Sequence, residues 1–165
     1  MNDNGGKAWV LGDDINTDML APGGYMKFGI DVIASHCLES VEPKFSSTVQ
    51  PGDVVVGGRN FGAGSSREQA PAALRQLGVA ALIAESFAGL FYRNSLNLGL
   101  PALVCPQAKQ IRDGEELKID YDQSRIMTKS AALDFEPIPP HLLEMVRDGG
   151  LLPHLEKRMK CRTTS

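Results

Sequence analysis

Residues 60–69 (Asn-Phe-Gly-Ala-Gly-Ser-Ser-Arg-Glu-Gln) hold the densest chemistry in the chain. Glycines let backbone N–H groups approach a ligand closely, a helix start favours negative charge, and arginine grips a carboxylate bidentately. The pattern suits an oxygen-rich anion. Ser65 with Glu68 fits an S-x-x-E capping box, and Ser66 with Gln69 fits the S-x-x-Q frame. Pro71 argues against a helix that starts at Ser66, because it would then remove a helical hydrogen bond. The expectation is a shaped turn over residues 65–68, a later helix, and a ligand site on Gly64, Ser65, Ser66 and Arg67.

Three further groups of residues can serve such a site. Asn94 follows Leu90 by four and Phe91 by three, which places a polar group on an apolar helical stripe. It either caps a neighbouring backbone segment or meets a ligand. Arg93 points off that stripe, as a surface residue, an ion-pair partner or a ligand contact. Asp13, Asp14, Asn16, Thr17 and Asp18 form an acidic loop that lacks the glycine and glutamate pattern of an EF-hand. Turn formation and capping are its expected uses, with Asp18 able to hold a neighbouring arginine or serine. Tyr25 and Lys27 lie in a glycine-bordered stretch, residues 23–28, that reads as a mobile loop and a candidate lid.

The elements that must carry these residues follow from periodicity. Residues 8–11, 53–56, 79–84 and 102–105 are short apolar runs, read as strands covered on both faces. Residues 30–38 read as a helix. Ala70, Ala73, Leu74 and Leu77 recur at helical spacing before Gly78, and Ser86 is placed to cap a helix over residues 87–98. Residues 117–121 and 125–128 alternate as an antiparallel hairpin. Pro139 and Pro140 open a helix through Val146; a short terminal segment follows, frayed from Cys161. The expected fold is one α/β domain over residues 1–165, with its core at about residues 8–156 and flexible ends at 1–7 and 159–165.

Bulk properties narrow the function classes. Hydrophobic residues make up 42% of the chain and charged residues 22%, as in ordinary globular proteins. The net charge is −3 with scattered basic residues, so neither nucleic acid nor an anionic membrane is an expected partner. The polar start does not resemble a signal peptide, which leaves the cytoplasm as the default location. Cys37, Cys105 and Cys161 form neither a disulfide framework nor a cluster motif, and His36, His141 and His154 share no ligand spacing. No metal is expected on this chain.

Three motifs occur in order. They are Gly12-Asp13-Asp14-Ile15-Asn16-Thr17-Asp18, the Asn60–Glu68 run, and Ser86-Phe87-Ala88 with Phe91-Tyr92-Arg93-Asn94 and Asn97-Leu98-Gly99-Leu100-Pro101. From Trp9 to Leu155 the chain resembles the small subunit of 3-isopropylmalate dehydratase (isopropylmalate isomerase), itself similar to the swivelling C-terminal domain of aconitase. The resemblance implies a swivelling β/β/α domain that closes over a large subunit carrying a [4Fe–4S] cluster. It implies Ser65 as catalytic base, with Ser66 and Arg67 as substrate and oxyanion contacts; Gly64 and Lys27 are further expected substrate contacts, with Asp18, Arg93 and Asn94 in support. The substrate implied is a small hydroxy di- or tricarboxylate, and self-association of the isolated chain is a further expectation.

Ala63 and Gln69 stand where the family commonly has cysteine and histidine, and Lys27 stands in a loop that normally carries a Tyr-Leu-Arg segment. The substrate therefore stays open between isopropylmalate and another alkylmalate or homoaconitate-type acid. A non-catalytic anion-binding module is the reading from a different class. A nucleotide-binding domain is disfavoured, because the run has neither phosphate-loop spacing.

Overall fold

Val54–Val56, Ala81–Ala84 and Ala102–Val104 are short, wholly apolar runs with β-branched residues in each, and none of their residues is exposed. In the computed structural model, which describes residues 5–164, they are strands β2, β3 and β4. With β1 (Ala8–Val10) they form a parallel sheet of order β1-β2-β3-β4. The register pairs Ala8 with Val54, Val54 with Ala81, and Leu82 with Ala102.

Alternation along the strands builds two cores. Val55, Leu82, Ala84 and Ala102 point to one face, where they meet Leu20, Ile33, Phe45, Ala70, Leu74 and Phe91. Val54, Val56, Ala81, Ile83 and Leu103 point to the other, where they meet Ile119, Ile126, Leu133, Met145 and Val146. A sheet with both faces covered loses the polar alternation of a half-exposed one, which is why its strands read as continuous apolar runs.

The first face carries α1 (Thr17–Leu20), α2 (Ile30–Ser35), α3 (Phe45–Thr48), α4 (Gln69–Gln76) and α5 (Gly89–Asn97). The second carries the antiparallel strands β5 (Lys118–Asp120), β6 (Arg125–Met127) and β7 (Ala132–Asp134), with α6 (Pro140–Arg147). Helix α7 (Leu151–Thr163) closes the chain.

Several expectations are corrected. The acidic loop contains a helical turn, α1, because the Asn16 side chain accepts the Met19 N–H at 2.9 Å and caps it. Residues 23–25 form a 3₁₀ turn rather than an unstructured loop. Helix α2 stops at Ser35, and Leu38 takes a left-handed φ of 61°. The hairpin gains a third strand, β7, paired through Ile126 and Leu133. The terminal segment is a 13-residue helix that continues through Thr163, beyond the point of expected fraying. At the other end Lys7 bridges to Glu116, and its N–H donates to Asp53 at 3.1 Å. Residues 1–4 and 165 of the expected flexible ends lie outside the described residues.

Candidate functional site

The connections that leave β1, β2 and β3 run side by side past the carboxyl ends of the strands. Asn16 bridges to Ala63 and Phe61 to Phe87, so the sheet order continues into the loops. In open parallel sheets this edge is where ligands gather. Two non-glycine residues there, Asp14 and Asn60, take left-handed φ values of 57° and 58°, and Asn60 Nδ2 donates to Asp14 Oδ1 at 3.2 Å. The Asn60 N–H donates to Ser86 Oγ at 2.8 Å. Ser86 therefore ties two loops together and does not cap a helix; α5 begins three residues later, behind Ala88.

The expected turn is present, and its glycines are obligatory. Gly62 has φ +83°, and a Cβ there would enter the Phe91 ring. Its N–H donates to Ile15 O at 2.7 Å, while the Thr17 N–H donates to Ala63 O at 2.8 Å. Gly64 has φ +113°, and a Cβ there would stand 2.9 Å from Thr17 Oγ1. The absent side chain opens the way to one contact. Thr17 Oγ1 accepts the Ser65 N–H at 3.1 Å and lies 3.2 Å from Ser65 Oγ. Thr17 is 3% exposed and has no other side-chain hydrogen bond among the described residues, whereas Ser65 is open to solvent. If Ser65 ionises, the Thr17 hydroxyl is the side-chain donor among the described residues placed to stabilise it. Sequence reading placed Thr17 among turn formers and missed this role; the two residues are 48 positions apart.

Neither capping box forms. Glu68 precedes α4 with helical φ and ψ and makes no side-chain cap, so residues 65–68 are free to shape a site. Pro71 falls third in α4, among the positions whose N–H groups have no intrahelical partner. Arg67 is half-buried, and its Nη1 donates to Asp18 Oδ1 and to Ala21 O, each at 3.2 Å. Its Nε and Nη2 make no hydrogen bond to a described residue and form a fork for a carboxylate. The Gly23 N–H donates to the same Asp18 oxygen at 3.0 Å. That N–H first, and Arg67 second, hold the Asp18 carboxyl below the usual carboxylate range.

Asn94 Nδ2 donates to Ser66 O at 3.3 Å and so braces the backbone of the turn. The apolar stripe inferred for Asn94 does not exist as such. Leu90 is 54% exposed, and the buried residues of α5 are Phe91, Ser95 and Leu96.

With this geometry in place the relatives can be compared. The family model for the aconitase C-terminal domain matches residues 38–108. The methanogen homoaconitase small subunit of Methanothermobacter thermautotrophicus is 45% identical over 92% of this chain and 90% of its own. The 3-isopropylmalate dehydratase small subunit of Wolinella succinogenes is 43% identical over 96% of this chain and 97% of its own. The chain belongs to the family of 3-isopropylmalate dehydratase and homoaconitase small subunits. The crystal structure of 3-isopropylmalate dehydratase from Methanocaldococcus jannaschii superposes with a TM-score of 0.91, at 38% identity and 96% coverage of both chains. The fold of the family, a parallel sheet with flanking helices and a small antiparallel sheet, is the fold found here.

Not every expected family residue joins the cluster. Lys27 is exposed, with Nζ 5.3 Å from the centre of the Phe28 ring. Arg93 is exposed and forms no ion pair with a described residue. The cysteines cannot hold a cluster together: Cys37 is buried in the helix-side core, Cys105 in the opposite core, and Cys161 is exposed on α7. Burial pushes the Cys37 thiol up, the reverse of what a thiolate ligand needs. The fold does bring His154 within 4.8 Å of Glu144 and Asp148, which linear spacing did not suggest. Lys157 Nζ donates to Asp148 Oδ1 there at 2.8 Å, so an ammonium occupies the position of a cation.

Proposed function

We propose that this chain is the small subunit of a hydro-lyase that interconverts 2-isopropylmalate and 3-isopropylmalate by dehydration and rehydration. It acts in the cytoplasm, as a single swivel domain with its core at residues 8–156, against a large subunit that carries the [4Fe–4S] cluster. The observation that carries the reading is the Ser65–Thr17 contact with Arg67 fixed beside it.

Ser65 Oγ, as the alkoxide, takes the proton from the carbon next to a substrate carboxylate. The C–H electron pair becomes the new double bond as the hydroxyl leaves the neighbouring carbon, and the large subunit's cluster, when bound, would supply the Lewis acid that accepts that hydroxyl. A serine is a poor base unless its anion is stabilised, and Thr17 supplies the hydrogen bond that does so. Arg67 Nε and Nη2 receive the carboxylate whose negative charge grows as the proton departs, and the Ser66 hydroxyl and the Gly64 backbone complete the contacts. Asp18 and Asn94 fix Arg67 and the turn, so that little reorganisation accompanies the reaction.

A homoaconitate-type tricarboxylate is the second reading, favoured by Lys27. An exposed ammonium suits a further carboxylate better than an isopropyl group.

The test is anaerobic reconstitution with the cognate large subunit, following alkene absorbance across a panel of hydroxy acids. Isopropylmalate turnover is expected, and Ser65→Ala should reduce kcat by about 10³-fold or more with assembly retained. Full activity of Ser65→Ala would remove Ser65 as the base. Binding of hydroxy acids without turnover of any would favour the anion-binding module.

A further inference from the structure

The segment 23–28 follows directly from the site. Gly23 shares the Asp18 oxygen with Arg67, and a Cβ on Gly23 would sit 3.7 Å from Arg67 Nη2. The segment is a run of short turns in which Tyr25, Met26 and Phe28 donate their N–H groups to Pro22, Gly23 and Tyr25 at 3.0, 3.3 and 2.9 Å. Such turns do not fix their own orientation, so something outside the segment must.

His36 does this. The Tyr25 ring lies flat on the His36 imidazole, with centroids 3.7 Å apart and planes within 5°. The imidazole is itself held, because His36 Nδ1 donates to Glu39 Oε2 at 2.7 Å. Between these two residues lies Leu38, buried and left-handed, whose N–H donates to Met19 O at 2.8 Å. Met19 belongs to α1, the same turn of helix that presents Thr17 to Ser65 and Asp18 to Arg67. The imidazole is therefore referenced to the catalytic turn through α1, although His36 has no hydrogen bond to Ser65, Ser66 or Arg67.

We propose that His36 is a positioning residue for substrate recognition. Aligned by Glu39, its ring seats Tyr25 and so sets where residues 23–28 present Lys27 and Phe28 to a substrate held at Arg67. This rests on the reading that the Ser65–Arg67 turn binds the substrate. The chemical step uses none of these groups, so the effect belongs to binding.

The experiment uses the full chain with its large subunit, and the full chain alone. His36→Ala and Tyr25→Ala should each raise KM about ten-fold while kcat stays within about two-fold. His36→Phe keeps a ring for Tyr25 to stack on but loses the Glu39 bond, and should bring KM part of the way back to the parent value. In the isolated chain, hydrogen exchange at the Tyr25, Met26 and Phe28 amides should quicken about ten-fold in His36→Ala and return part of the way in His36→Phe. Unchanged loop exchange in His36→Ala, an unchanged KM, a fall in kcat in place of the rise in KM, or no rescue by His36→Phe would each overturn the proposal. Ser65→Ala separates it from the catalytic reading: full turnover in that variant removes Ser65 as the base and leaves the KM and exchange results to decide the role of His36.

Discussion

The proposed catalytic turn, residues 60–67, and the proposed recognition segment, residues 23–28, flank the same arginine, yet different forces hold them. Residues 60–67 are fixed by backbone: two glycines at positive φ, N–H bonds to Ile15 and Ser86, and the buried ring of Phe91 beneath. Residues 23–28 are held from outside by one carboxylate, one ring stack and the packing of Tyr25 and Met26 against the edge of the core. A base must meet its proton within a few tenths of an ångström, so rigid backbone suits it. A recognition surface tolerates, and can use, a softer seat.

Glycine substitutions should break the two regions unequally. Gly62→Ala forces a left-handed alanine into the Phe91 ring and should lower stability by about 3 kcal/mol, read by chemical denaturation. Gly24→Ala, which meets nothing within 4 Å, should stay within about 0.5 kcal/mol of the parent. Equal losses at both would erase the contrast.

Thr17→Val tests whether the turn does more than hold shape. Loss of the hydroxyl should reduce kcat about 10²-fold and raise the pH at which the base titrates, with KM little changed. Thr17→Ser should recover most of the rate. Asn94→Ala removes a brace on the Ser66 carbonyl and should cost about 1 kcal/mol in stability, measured by thermal unfolding.

The smallest effect concerns the shared carboxylate. Because the Asp18 carboxyl is lowered on folding, its anchoring is complete above the ordinary carboxylate range and is lost only as pH falls through the lowered value. The Gly23 N–H is the larger cause, so Arg67→Ala should raise the Asp18 titration midpoint only part of the way to the ordinary value. An NMR titration of the side-chain carboxyl measures it. Complete reversion would mean that the arginine, and not the segment 23–28, holds this carboxylate.

What could be read from sequence follows from range. The parallel strands were legible because burial on both faces leaves uninterrupted apolar runs, as at Val54–Val56 and Ala81–Ala84. The turn was legible because Pro71 fixes the earliest start of α4. Thr17 was not, because its meaning lies in a contact across 48 residues. Helix α7 was missed although Leu151, Leu155 and Met159 recur at helical spacing; that stripe buries none of the helix's residues. Asn94 was singled out for a mistaken reason, since Leu90 faces outward; of the two uses expected for it, the bond to the Ser66 carbonyl is the one seen.

The segment 23–28 touches the core only lightly, and Gly24 and Gly29 have open space around them. Sequence drift there is nearly free of folding penalty, provided an aromatic ring persists at position 25. On the proposed reading, the proton-abstracting turn stays unchanged while new acids are sampled a few residues away. For laboratory evolution, a library restricted to positions 24, 27 and 28 would explore substrate range without eroding the scaffold.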